Sequence, residues 1–78
     1  MFDTIVADGK SVNCEVVLKS VIDSIKEKGQ NPSTQLAAYL SSGEPLFITQ
    51  HNGARNLITK FDRVELLESI VELLVEKL

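Results

Sequence analysis

Asn31-Pro32-Ser33-Thr34-Gln35-Leu36-Ala37-Ala38-Tyr39-Leu40-Ser41-Ser42-Gly43-Glu44-Pro45, followed by His51-Asn52-Gly53-Ala54-Arg55-Asn56, is the stretch whose reading decides the fold. Proline at the first helical position loses no needed donor and its fixed φ suits the helix, so Asn31-Pro32 predicts a helix start. Leu36, Ala37, Tyr39 and Leu40 supply the apolar side. Gly43 closes the helix and Pro45 prevents it from resuming. Leu46-Phe47-Ile48 is too short for periodicity to decide and reads as a buried connector. Thr49 then caps a third helix, in which Ala54, Leu57, Ile58 and Phe61 keep the 3.6-residue spacing. Gly53 inside it costs about 1 kcal/mol relative to alanine and weakens its first turn.

On the N-terminal side, Asn13 is a candidate cap for a helix over about 14 to 28. Val17, Leu18, Val21, Ile22 and Ile25 form its apolar stripe and Gly29 its closing residue. Residues 1–12 have no strong period. Phe2, Ile5 and Val6 suit one short strand broken at Asp8-Gly9, or an irregular, mobile tail. On the C-terminal side, Asp62-Arg63-Val64-Glu65 has the pattern of a capping arrangement and starts a fourth helix running nearly to Leu78. Its apolar residues cover an arc of roughly 200°, about twice what one core-facing stripe needs. Leu66, Ile70 and Leu73 lie away from the other apolar centre near Val71 and Leu74, and are the candidate homodimer interface. Glu65, Glu68, Glu72 and Glu76 occupy the remaining face as an acidic ridge. The expectation is a mainly α, four-helix domain over 13–78, preceded by a short irregular or single-strand segment over 1–12, and assembled as a homodimer.

Seventy-eight residues allow one domain, and a chain of that size buries only about 60% of the surface its unfolded form exposes. The lone Cys14 excludes an internal disulfide framework, and one histidine leaves no Cys/His cluster for a structural zinc. A subunit partner is the remaining source of stability. The apolar fraction of 44% with 24% charged residues is globular composition and argues against whole-chain disorder. No apolar run approaches a membrane span of about 18 residues, and Met1-Phe2-Asp3 lacks a basic start. No membrane insertion is expected, and the expected location is cytoplasmic.

Catalysis has little support. His51 is the only histidine, and no Ser/His/Asp order, HExxH, CxxC or glycine-rich phosphate loop is present. No catalytic residue, metal or cofactor is expected. Nucleic-acid binding competes better: the second and third helices could form a helix-turn-helix presenting Gln50, His51, Asn52, Arg55, Asn56 and Lys60. Against it stand a formal net charge of −3, scattered basic residues and a connector longer than the usual three- to four-residue turn. A purely structural use of the same residues also stands open. Asn52 and Asn56 then satisfy neighbouring backbone, Arg55 pairs with Glu44 or Asp62, and Asn31, Gln35 and Tyr39 fix the corner between the first two helices.

The motifs Glu27-Lys28-Gly29, Asn31-Pro32, Gln35, Tyr39-Leu40, Ser42-Gly43, Pro45, Ile48-Thr49, His51-Asn52-Gly53-Ala54-Arg55-Asn56-Leu57-Ile58 and Glu65-Leu66-Leu67-Glu68 together resemble the IreB-type regulatory phosphoproteins of low-GC Gram-positive bacteria. The resemblance covers about 17 to 72. Gln30 stands where that family usually has tyrosine, and Ser33-Thr34 where it has an Ile-Asn pair. The N-terminal segment is shorter, without the aromatic that follows the family's phosphoacceptor. The resemblance implies a non-catalytic regulator, the substrate of a membrane Ser/Thr kinase with PASTA domains, acting on an unknown downstream protein in cell-envelope stress and antibiotic tolerance. Thr4 is the match to the phosphorylated threonine. Its phosphate is expected to dock near Arg55 and Lys60. His51, Asn52, Arg55 and Asn56 recur in the family pattern and, with Lys60, are the candidate partner-binding residues.

Overall fold

The computed structural model describes the backbone from Phe2 to Leu78 and the side chains from Asn13 onward. Four α-helices, α1 (Phe2–Glu27), α2 (Pro32–Ser42), α3 (Ala54–Ile58) and α4 (Arg63–Lys77), are joined by 3-10 turns at Pro45–Phe47 and His51–Gly53. α1 is the central element, packing chiefly against α3 and α4. Its buried face runs Cys14, Val17, Leu18, Val21, Ile25, with Ile22 packed at the margin. This is the expected stripe lengthened by one turn. Around it close Leu36, Tyr39 and Leu40 of α2, Ile48, Ala54 and Ile58 of the third segment, and Leu66 of α4.

The helix boundaries follow from local chemistry. α1 ends in a paired closure, with Gly29 N–H donating to Lys26 O (2.9 Å) and Gln30 N–H to Ile25 O (3.1 Å). Gly29 makes this possible at φ +76. Asn31 caps α2, its Oδ1 accepting from Thr34 N–H at 3.0 Å. At the other end Gly43 sits at φ +79 and donates to Tyr39 O at 2.7 Å. A second requirement meets there: a Cβ on Gly43 would lie 2.8 Å from Arg63 Cζ, because that guanidinium lies against the turn and donates from Nη1 to Leu40 O. Asp62 caps α4, its Oδ1 accepting from Val64 N–H at 2.7 Å.

Four expectations are corrected. Residues 2–12 are helical, not a strand or an irregular tail. Extending an existing helix gains a hydrogen bond per residue fixed, which outweighs the cap at Asn13 and the cost of Gly9. In the connector only Ile48 is buried, while Leu46 and Phe47 are 71% and 47% exposed. The third helix is interrupted: Asn52 and Gly53 both take left-handed backbone (φ 55 and 72), leaving a 3-10 turn before the five-residue α3. Lastly, the two apolar stripes of α4 exist, but with exchanged roles. Leu66 is fully buried in the core and Ile70 packs against it, with Leu73 half-buried. Val64, Leu67, Val71, Leu74 and Val75 are exposed instead. Ser69 accounts for the choice, since the stripe containing a small residue, itself buried, can approach the core closely.

Candidate polar cleft

The turn after Ile48 is assembled from contacts distant in sequence. Thr49 Oγ1 accepts from His51 N–H (3.2 Å), in partial agreement with its expected capping role. Asn52 holds a conformation uncommon for a residue with a side chain. Its Nδ2 donates to Glu27 Oε1 at 3.0 Å, and His51 Nε2 lies 3.1 Å from the same oxygen. Two side chains from the turn thus converge on one carboxylate at the end of α1. The His51 contact, then that of Asn52, holds the Glu27 carboxyl below its ordinary value. Gln35 forms a second bridge, its Oε1 accepting from Thr49 N–H (3.1 Å) while its Nε2 donates to Gln30 Oε1 (2.6 Å). It therefore fixes the corner of α1, α2 and the turn, as the structural reading of Gln35 anticipated.

Arg55 pairs with neither Glu44 nor Asp62. Its Nε donates to Ile48 O at 2.9 Å, while Glu44 and Asp62 each cap their own turn. Arg55 is half-buried, and both terminal nitrogens of its guanidinium are left without a partner among the described residues. Arg55 borders a cleft of about 490 Å³ whose lining includes Lys28, Gln30, Gln35, Thr49, Gln50 and His51, with Leu46 and Phe47 at its apolar part. Among the described residues no aspartate or glutamate lines it.

Of the candidate partner-binding residues, His51 and Arg55 line this cleft, and Asn52 joins it through Glu27. Asn56 and Lys60 are exposed elsewhere on the α3 segment and do not line it. Lys28, Gln30, Leu46 and Phe47 were missed. The one available signal was Glu27-Lys28-Gly29, which matched the family pattern although it sits 24 positions from His51. The Thr4 side chain lies outside the described residues. Its backbone is in α1, roughly 35 Å along the axis from Glu27 at about 1.5 Å per residue. A phosphate at Thr4 therefore does not reach Arg55 of the same chain while α1 remains helical.

A second, apolar groove of about 750 Å³ runs between α1, α2 and α4, lined by residues including Leu18, Ile22, Leu36, Ile70 and Leu74. α3 has one and a half turns, and its Ala54 and Ile58 are buried, so it gives no recognition helix of the kind a major groove accepts. Among the described residues no group of three or more His, Cys, Asp or Glu side chains could hold a metal ion, and no helix is long and apolar enough to cross a membrane.

A small helical domain with open surface grooves is the class these features define. The chain matches the family model described as the IreB regulatory phosphoprotein over residues 1–76. It belongs to that family, and a regulatory role follows from membership.

Proposed function

We propose that this protein is a non-catalytic regulator, phosphorylated at Thr4 by a membrane Ser/Thr kinase with PASTA domains, and that it acts by protein–protein contact in cell-envelope stress and antibiotic-tolerance signalling in the cytoplasm of a Gram-positive bacterium. Family membership across nearly the whole chain is the observation that carries this reading. A phosphate on Thr4 adds about −1.5 to −2 charge to the N-terminal end of α1, where the helix dipole favours negative charge. The polar face of the His51–Arg55 turn is the surface offered to the downstream protein. The exposed stripe Leu67, Val71 and Leu74 replaces Leu66, Ile70 and Leu73 as the surface offered to a second copy. Leu67, Val71 and Leu74 are about half exposed, so burying the remainder would contribute about half of the usual 1.5–3 kcal/mol each.

The decisive experiment is phosphorylation of the full chain by the host kinase, followed by mass spectrometry. Phosphate is expected at Thr4, and Thr4→Ala should lose most incorporation. Phosphate on Thr34, Thr49 or Thr59 instead would overturn the site. Thr49 and Thr59 already have hydroxyls engaged with His51 N–H and Asn56 O, which makes them poorer acceptors in the folded chain.

A further inference from the structure

The geometry points to the cleft beneath Arg55 as a receptor for an acidic protein segment in which a carboxylate neighbours an apolar side chain. This rests on the reading that the protein works through a partner, and it specifies that partner's chemistry. Arg55 is a half-buried residue with two unengaged terminal guanidinium nitrogens among the described residues, and a planar carboxylate matches its fork. Lys28 is a second cation on the lining, also without an ion-pair partner among the described residues.

Part of the remaining polar lining is committed within the chain. Gln35 donates to Gln30 and accepts from Thr49 N–H, and His51 is held by Glu27. Arg55 and Lys28 are the arginine and lysine of the lining, and with Gln50 beside them they are the groups offered to a ligand. Leu46 and Phe47 stand exposed on the same cleft. Their exposure has a local origin: Pro45 starts a 3-10 turn capped by Glu44, whose Oε1 accepts from Leu46 N–H. That turn buries Ile48 and turns its neighbours outward. Cations beside an exposed aromatic form an amphipathic receptor, which a nucleic-acid backbone would use only in part. The net charge of −3 does not oppose this at contact range, because separated surface charges are screened beyond about 8 Å at physiological salt, and none of the four ridge glutamates of α4 lines the cleft.

The test titrates the isotope-labelled full chain with a synthetic peptide of alternating glutamate and leucine, and with its glutamine-for-glutamate counterpart, following amide resonances by NMR. The glutamate peptide is expected to shift the Lys28, Thr49 and Arg55 amides and to bind about tenfold more tightly than the glutamine peptide, with affinity falling as salt is added. Lys28→Gln should weaken binding severalfold without changing thermal stability, since the Lys28 side chain has no hydrogen bond or ion pair among the described residues. Phe47→Ala should weaken both peptides alike. Equal binding of the two peptides, shifts confined to Leu36, Leu67 and Leu74, no shift at millimolar peptide, or indifference to Lys28→Gln would each overturn the inference. Phosphorylation of the same samples by the host kinase separates the two readings. Intact modification of Thr4 with unselective peptide binding refutes the cleft alone, whereas an unmodified wild-type chain refutes the kinase-substrate reading.

Discussion

α2 and α4 carry similar apolar content, yet different rules place them. Every boundary of α2 is set within a few residues: Asn31 bonds to Thr34, Pro32 occupies the first helical position, and Gly43 bonds back to Tyr39. α4 is capped just as locally by Asp62, but which side faces inward is decided by the rest of the molecule. Its Leu66 and Leu74 stripes are both apolar and both helically spaced. The core takes the first and leaves Leu74 56% exposed. Helix ends are written in short-range hydrogen bonding, whereas the facing of a doubly apolar helix is written in packing that spans the chain.

The largest effect that would break this comparison is truncation in the two stripes. Leu66→Ala should destabilise by about 2–5 kcal/mol, the sum of lost transfer energy and a residual cavity. Leu74→Ala should stay within about 0.5 kcal/mol in the dilute monomer. Urea unfolding at submicromolar concentration measures both, and equal losses would mean that α4 is rotated from the facing described. At higher concentration Leu74→Glu should abolish self-association in sedimentation equilibrium. A wild-type mass of 8.6 kDa at micromolar concentration would remove the proposed interface.

Gly43 comes next, because it joins a local end to a distant face. Gly43→Ala must adopt a positive φ and also displace the Arg63 guanidinium, so a loss of about 1–3 kcal/mol is expected. Gly29 has the same backbone conformation, yet a Cβ there meets nothing within 4 Å. Gly29→Ala should therefore lose less, about 1 kcal/mol. Placing Gly43→Ala in an Arg63→Ala background should bring the two glycine penalties together. If they remain apart, the Arg63 contact is not their difference. Asn31→Ala is the purely local counterpart, expected at about 1 kcal/mol, the usual value of a lost side-chain cap, by thermal unfolding.

The same division explains what could be read before folding. Gly29, Asn31, Pro32, Gly43, Thr49 and Asp62 all act on backbone groups a few positions away, and each was legible as a cap or stop. The surplus apolar arc of α4 was legible too, but not its facing, since periodicity alone ranks two equivalent stripes equally. The helix through residues 2–12 was hidden by Gly9 and the absence of a period. The cleft was the least legible part. Its cation pair joins Lys28 to Arg55, and its scaffold joins Glu27 to His51 and Gln35 to Thr49, separations no helical or strand pattern covers. His51 and Arg55 stood out by residue type, while Phe47 was read as core because an apolar triplet carries no sign of which member turns outward.

The smallest expected effect concerns the corner that holds this cleft. Glu27 accepts from His51 and Asn52, and its pKa is lowered from 4.5, chiefly by the His51 hydrogen bond and next by that of Asn52. A carboxyl depressed in the folded state binds its proton more readily when unfolded. Its contribution to stability is therefore present above the ordinary carboxylate pKa and lost as pH falls through the folded value. Because Glu27 is surface-exposed, solvent screening keeps that contribution small, and the sharper measurement is the titration itself. NMR detection of the Glu27 side-chain carboxyl should give a midpoint below 4.5. His51→Gln should raise it most. Asn52→Gly, which keeps the left-handed backbone at φ 55 while deleting the donor, should raise it less. Glu27→Gln should remove this group's share of the acid-limb stability loss. A wild-type midpoint at or above 4.5 would mean that the three side chains do not meet in solution, leaving the turn before α3 to the bonds made by Thr49, Gln35 and Arg55.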